Sequence, residues 1–375
     1  MKVALIHEYL TALGGAEKVL FSLLSIFPKA DIFTSIYDPQ VVKFPKKTKV
    51  YISFIQNLPF AKPKRQIYLA LMPKAFESFD LSGYDLVISD SHSFAKGVIA
   101  PPETLHICYC HTPTRYLWLD TEKHIQESHY NPVLKKFIPR VIENLKSWDL
   151  KASKRPNRII ANSKIVAKRI KKIYKRNAKV IYPPVDVDQF GVSKKKSDYY
   201  LIVSRFEPYK KVDLVIRAFN ENGRKLVIAG SGGTEEKRLK KIAQKNIKFI
   251  GKVNNARLRN YYQKARGFIF PQEEDFGITA CEAQAAGTPV IAFKRGGALE
   301  TVIEGKTGIL FNHQTPKSLN SAIEKFEQKK FNPQAIKRQS QKFSQKRFEK
   351  EIKSYIMDSC KQWKNFRGLP RLSLS

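Results

Sequence analysis

Glu274-Asp-Phe-Gly-Ile-Thr-Ala-Cys-Glu282 places two carboxylates eight residues apart, with Phe276-Gly277 between them. The apolar run Gly267-Phe-Ile-Phe-Pro271 precedes the stretch, and Glu282-Ala-Gln-Ala-Ala-Gly-Thr-Pro-Val-Ile-Ala follows it. This pattern predicts a buried strand, a tight loop, a helix closed by Gly287, and a further strand. Glu274 then sits at the carboxyl end of a strand, where open α/β sheets bind ligands. Glu282 falls about two turns into the helix, on a face that can point to the same crevice. A single carboxylate near a helix start would only complement the helix dipole. Two of them in this string point to a site.

Outward from this stretch, short apolar runs alternate with longer helical patterns. Val3–His7, Asp31–Ser35, Asp85–Ser89, Leu105–Cys110, Arg158–Ala161 and Lys179–Tyr182 read as strands, as do Tyr199–Ser204, Lys225–Ala229, Ile247–Ile250, Gly267–Phe270, Pro289–Ala292 and Ile309–Phe311. Such alternation implies parallel sheets with helices on both faces. A chain of 375 residues exceeds one core, since single cores stop growing near ~250–300 residues. The Pro-rich, then polar, segment Pro183–Ser197 reads as a linker. The expected division is a Rossmann-like domain over 1–182, a linker over 183–198, a second Rossmann-like domain over 199–345, and a C-terminal helix and tail over 346–375 that can pack back on the first domain. The tail from Arg367 is expected to be disordered.

The formal charge is +35, with 30 Lys+Arg against 14 Asp+Glu in residues 1–182 and 38 against 19 in residues 183–375. An excess spread over both halves attracts polyanions of any kind: anionic lipid, nucleic acid or phosphate-bearing substrates. No zinc-finger, RNP1 or helix-turn-helix pattern favours nucleic acid. Four cysteines include Cys108 and Cys110 on one face of a strand, read as buried thiols rather than metal ligands. No apolar run reaches the ~18 residues of a membrane span, and the N-terminus reads as a strand rather than a signal peptide. The expected location is therefore the cytosol.

Further chemistry-bearing residues lie at strand ends. Ser204-Arg205-Phe-Glu-Pro-Tyr-Lys210-Lys211-Val212 puts cations in a loop between a strand and a helix, a place suited to a diphosphate. Gly14-Gly15 follow the first strand, where backbone amides can approach a ligand. His111 ends the strand Leu105–Cys110 ahead of Thr112-Pro113, and Ser91-His92-Ser93 follow another strand. Asp186-Val-Asp188 spells D-x-D but falls in the linker, so no metal is expected there.

The Glu-x7-Glu spacing and the Arg205/Lys210 loop resemble retaining GT-B glycosyltransferases of family four, over residues 1 to 350. His7-Glu8, Gly14-Gly-Ala-Glu17, Ser91–Gly97 and Cys108-Tyr-Cys-His-Thr-Pro-Thr-Arg-Tyr116 are most similar to bacterial mannosyltransferases of O-antigen and exopolysaccharide assembly. One departure is Lys211, which stands where the family motif has glycine. The resemblance implies a GT-B fold, α/β, with two Rossmann-like domains facing each other across a cleft. It implies hexose transfer from a nucleotide sugar, GDP-mannose in this branch and a UDP-hexose as the alternative, with no cofactor. Arg205 and Lys210 would stabilise the leaving diphosphate, with Lys211 or the amides at Gly277-Ile278 beside it. Glu274 would bond donor-sugar hydroxyls, Glu282 the ribose, His111 the sugar, Gly14 and Gly15 the diphosphate, and Ser91 and His92 the acceptor. Retention is compatible with front-side attack or with a carboxylate intermediate. The implied acceptor is a polyprenyl-diphosphate-linked or other glycan at the inner face of the membrane. Two apolar-basic segments, Phe54–Arg65 and Leu134–Arg140, are then expected to dock a peripheral protein on anionic lipid.

Overall fold

The computed structural model describes residues 1–63, 65–119, 121 and 132–367. The expected tail beyond Arg367, Lys64, and the side chains of Leu134, Lys135, Lys136 and Phe137 lie outside the described residues. The chain forms two compact units, one of Met1–Tyr182 with Phe348–Ser375 and one of Pro183–Arg347.

In the first unit the strands are β1 (Val3–His7), β2 (Asp31–Thr34), β3 (Val50–Ile52), β4 (Leu86–Ser91), β5 (Leu105–Cys110), β6 (Arg158–Ala161) and β7 (Lys179–Val180). Their order is β3-β2-β1-β4-β5-β6-β7, and every pairing is parallel. Side chains alternate across this sheet, so Val3 and Leu5 enter one buried cluster and Ala4 and Ile6 another. Helix α1 (Gly15–Ile26) covers the first face through Val19, Leu20 and Leu23. Helices α2 (Pro132–Ala152) and α3 (Lys164–Tyr174) join the other face. Asp149 of α2, fully buried, accepts from Thr114 Oγ1 (2.9 Å), Trp118 Nε1 (2.8 Å) and Tyr174 OH (2.7 Å) and pairs with Lys96 Nζ at 2.6 Å. A buried ion pair is tolerated when its remaining hydrogen-bonding capacity is filled in this way.

The second unit holds β8 (Tyr200–Val203), β9 (Leu226–Ala229), β10 (Ile247–Gly251), β11 (Gly267–Phe270), β12 (Val290–Phe293) and β13 (Gly308–Phe311), in the order β10-β9-β8-β11-β12-β13 and again parallel. Strand order reverses at β1/β4 in the first sheet and at β8/β11 in the second. In open parallel sheets these are the switch points where loops part and ligands enter.

Two local readings change. Strand β3 is absent from the sequence reading; Val50-Tyr-Ile is short and half exposed at a sheet edge, so it carries no buried apolar pattern. Strand β4 runs on to Ser91, because Asp90 and Ser91 are buried polar residues with partners and so do not end the strand.

The last helix, α6 (Gln345–Arg367), begins in the second unit and continues into the first. Phe348, Ile352, Ile356 and Cys360, spaced every four residues, are buried in the first unit's core, with Phe348 edge-on to Tyr109 at 5.8 Å. Phe348→Ala should destabilise the first unit by about 3–5 kcal/mol, the usual cost of a buried Phe truncation. Urea unfolding followed by circular dichroism reads this; a loss well under 1 kcal/mol would show that the helix is not part of that core.

Candidate functional site

In the second unit, the loops after β8 and β11 meet at the switch point. Lys210 Nζ forms an ion pair with Glu274 Oε1, which also accepts from Gln272 Nε2 at 3.1 Å. Arg205 is exposed at the start of the β8 loop, with its guanidinium 3.3 Å from Tyr209 OH. Lys211 is the N-cap of α4 (Val212–Asn222) and adopts left-handed φ 55. A glycine would meet this geometry without strain, whereas an L-residue there costs roughly 1–2 kcal/mol. The departure from the family motif is thus a backbone matter, and Lys210 is the residue whose side chain reaches the carboxylate.

Glu274 lies four residues beyond β11, and its loop is pinned from behind. Gly297 donates its amide to the Glu274 carbonyl at 2.7 Å, and a Cβ on Gly297 would fall 2.4 Å from the Phe276 Cα. Phe276 is buried edge-on to Phe343 at 5.2 Å. Gly277 then turns the chain at φ 92 into α5 (Ile278–Ala285), a conformation that favours glycine. The first amides of α5, at Ile278 and Thr279, are the orphan donors of a helix start and can meet an anion. Glu282 lies in the second turn, sooner than expected from the sequence, and accepts from Tyr262 OH at 3.1 Å. Tyr262 is fully buried; burial, then the Glu282 charge, pushes its phenol well up, so it stays a donor. Gly287 closes the segment at φ 69, as its sequence position implied. Asp186 caps the single turn Val187–Gln189 and Asp188 lies within it, facing Gln341 Nε2 at 3.4 Å and Lys346 Nζ at 3.6 Å.

In the first unit, His111 follows β5 and places Nε2 2.6 Å from Asp90 Oδ1. Asp90 Oδ2 lies 2.9 Å from His7 Nδ1, and His7 Nε2 lies 3.4 Å from Glu17 Oε1. Glu17 in turn accepts from the Gly14 amide at 2.7 Å, so this amide is tied to its own helix; Gly15 is the first residue of α1. Burial raises the Asp90 carboxyl, but the His111 and His7 imidazoles outweigh it and hold the group at about 2. Burial lowers the His7 imidazole, but Asp90 and Glu17 outweigh it and push the group up to about 10.

On the opposite face Glu8 is buried and collects donors from one turn: Ser91 Oγ (3.0 Å) and the amides of His92 (3.2 Å), Ser93 (2.7 Å), Phe94 (2.9 Å) and Ala95 (3.0 Å). The Ser91 hydroxyl therefore shapes the turn. His92 packs edge-on to Tyr9 at 5.6 Å, and burial lowers its imidazole. His7, Glu8 and Glu17 entered the sequence analysis only as marks of the family resemblance, and Asp90, Gln272 and Tyr262 did not enter it as site residues. For His7, Glu8 and Asp90 the signal was period-two alternation at strand ends: His7-Glu8 and Asp90-Ser91 send neighbouring polar side chains to opposite faces.

The family Glycosyl transferases group 1 matches residues 186–343, and Glycosyltransferase Family 4 matches residues 13–189. Together they cover most of the chain, which belongs to this glycosyltransferase family. It is 30% identical over 200 residues to D-inositol 3-phosphate glycosyltransferase 2 of Catenulispora acidiphila, covering 44% of this chain and 47% of that protein, so it spans about half of that relative's length. It is 25% identical over 374 residues to alpha-1,3/1,6-mannosyltransferase alg2 of Schizosaccharomyces pombe, covering 83% and 70%. Among solved structures it is similar to sucrose-phosphate synthase of Thermosynechococcus elongatus (TM-score 0.73, 18% identity, 95% and 98% covered). It is also similar to Anabaena HepE in complex with UDP and glucose (TM-score 0.67, 19% identity, 95% and 99% covered). These likenesses establish the GT-B fold.

The Asp90–His7 pair has a pH signature. The His7 contribution is complete below its ordinary 6.5 and is lost as pH rises toward about 10. The Asp90 contribution is complete above 3.8 and is lost as pH falls toward about 2. Denaturant stability of the wild type should therefore decline between pH 6.5 and 10, and His7→Gln should flatten that decline. Parallel slopes for the two proteins would contradict the assigned charges.

Proposed function

We propose that this chain transfers a hexose from a nucleotide sugar to a hydroxyl with retention of anomeric configuration, mannose from GDP-mannose being the donor it fits best. The observation that carries the reading is the pairing of Lys210 with Glu274 at the β8/β11 switch point, beside the start of α5. A sugar hydroxyl can replace Lys210 on the carboxylate while the ammonium turns to the departing diphosphate. Arg205 adds a second cation and the first α5 amides add dipoles, so charge on the leaving group is stabilised without a metal ion. Glu282, oriented by Tyr262, bonds the ribose hydroxyls. The long match to an alpha-1,3/1,6-mannosyltransferase supports mannose, and the motif likeness to O-antigen enzymes supports a lipid-linked acceptor for cell-surface glycan assembly. A UDP-hexose is the competing donor.

Thermal shift with GDP, UDP, ADP and their sugars decides the base. A ligand at 100-fold excess over its Kd stabilises the fold by about 2.7 kcal/mol. GDP should raise the melting temperature most; a shift with UDP alone would remove the mannose assignment. Arg205→Ala and Lys210→Ala should each lower kcat on the order of 100-fold or more, with the fold retained. Near-normal turnover would remove the diphosphate role.

The protein is proposed to work peripherally at the inner face of the membrane. Phe60, 66% exposed, stands with Phe54, Ile67 and Leu71 among exposed apolar residues, and Lys62 and Arg65 are the adjacent cations. Basic side chains at an anionic leaflet contribute about 1 kcal/mol each. No helix among the described residues is long and apolar enough to cross a membrane. Sedimentation should show binding to phosphatidylserine-containing vesicles at low salt and release at high salt, and Phe60→Asp should weaken it. Equal binding to neutral vesicles would contradict this account.

A further inference from the structure

The first unit carries a second concavity, at the end of its sheet opposite to the switch-point loops. A cavity of about 460 Å³ opens at the amino ends of β6 and β7, and its polar lining is Asn157, Arg158, Arg176, Asn177, Lys179 and Tyr355. β6 and β7 pair in parallel with Ile160 opposite Lys179, so Arg158 and Lys179 fall on the same face as Ile160. That face belongs to the core covered by α1 and α6, and Tyr355 of α6 packs against it.

Arg176, just past α3, is fixed from behind. Its Nη1 donates to the carbonyls of Ser153 (2.7 Å) and Pro156 (2.6 Å), and its Nη2 to that of Asn157 (3.3 Å). These three bonds leave two of the five N–H donors of the guanidinium. Both asparagines are oriented by partners that can only donate. Asn157 Oδ1 accepts from the His106 amide at 2.7 Å, and Asn177 Oδ1 accepts from Lys171 Nζ at 3.0 Å. Their oxygens are thus committed, and the NH2 groups are what remain to offer. No carboxylate lines the cavity, and Arg158, Arg176 and Lys179 have no ion-pair partner among the described residues. The lining therefore offers donors from five of its six polar side chains, three of them cationic, with only the Tyr355 hydroxyl able to accept. Like charges around one concavity repel each other, and an oxyanion both offsets this and takes charge-assisted hydrogen bonds.

We propose that this cavity is a second anion site, distinct from the β8 and β11 loops, that holds the phosphoryl group of a small soluble phosphate compound. None of the exposed large apolar residues lines it, whereas a lipid-docking face carries them, so the phosphoryl group comes from solution rather than from a headgroup. The site stands independently of hexose transfer.

The test is equilibrium dialysis of the full chain with labelled inorganic phosphate at pH 7.5, chloride holding the ionic strength constant. Arg205→Ala with Lys210→Ala is the common background, which removes the other cationic loop. Phosphate should bind saturably, and glycerol 3-phosphate should displace it. Arg158→Gln with Lys179→Gln, both at exposed positions, should weaken binding on the order of tenfold or more, the cost of losing charge-assisted bonds. Lys46→Gln with Lys47→Gln removes the same charge from exposed positions in the same unit and should change binding less than about twofold. Equal weakening by the two pairs would reduce the effect to diffuse attraction and overturn the site, as would the absence of saturable binding. Sedimentation with phosphatidic acid vesicles separates the sources. The Arg158/Lys179 pair should leave vesicle binding unchanged; loss of vesicle binding without displacement of phosphate by glycerol 3-phosphate would assign the site to a headgroup and overturn the soluble ligand.

Discussion

The carboxylate of Asp90, buried between the imidazoles of His7 and His111, is the interaction on which the functional edge of the first unit depends. Parallel strands all end on one edge, so polar residues at their carboxyl ends are gathered there by topology. An isolated charge at that depth would carry the full cost of desolvation or would neutralise. Here each buried charge has an opposite partner or a set of amides. Alternation along the strands separates two roles. His7 and Asp90 serve the α1 face, while Glu8 gathers the 92–95 turn on the other.

The second unit achieves rigidity through the backbone. Gly296 and Gly297 approach the Glu274–Phe276 loop more closely than any Cβ allows, and Phe276 is set against Phe343. The acidic loop is therefore positioned by packing from behind, leaving Glu274 to exchange partners at the front. Lys210, on the neighbouring switch-point loop, is its ion-pair partner.

Much of this was legible in the sequence. The Glu-x7-Glu stretch fixed strand, loop and helix in order, and buried apolar runs located twelve of the strands to within two residues. What escaped were features that depend on neighbours far along the chain. Asp90 reads as the polar end of a strand until His7 and His111, 83 and 21 residues away, stand beside it. Ser91 reads as an exposed contact until Glu8 takes its hydroxyl. Lys211 reads as one more lysine in a basic run, since a left-handed φ leaves no mark on composition. Tyr262 is on a helix 20 residues before Glu282, with no local pattern to connect them.

The central claim is that cationic side chains and helix amides, rather than a metal ion, carry the departure of the leaving group during retaining transfer. NMR of the product formed in EDTA tests it most directly, through the one-bond C1–H1 coupling at the new anomeric carbon. With an α-linked nucleotide hexose and a glycan acceptor, the account predicts an α-linked product at an undiminished rate. A β-linked product, or transfer that returns only when Mg²⁺ or Mn²⁺ is added, would contradict it.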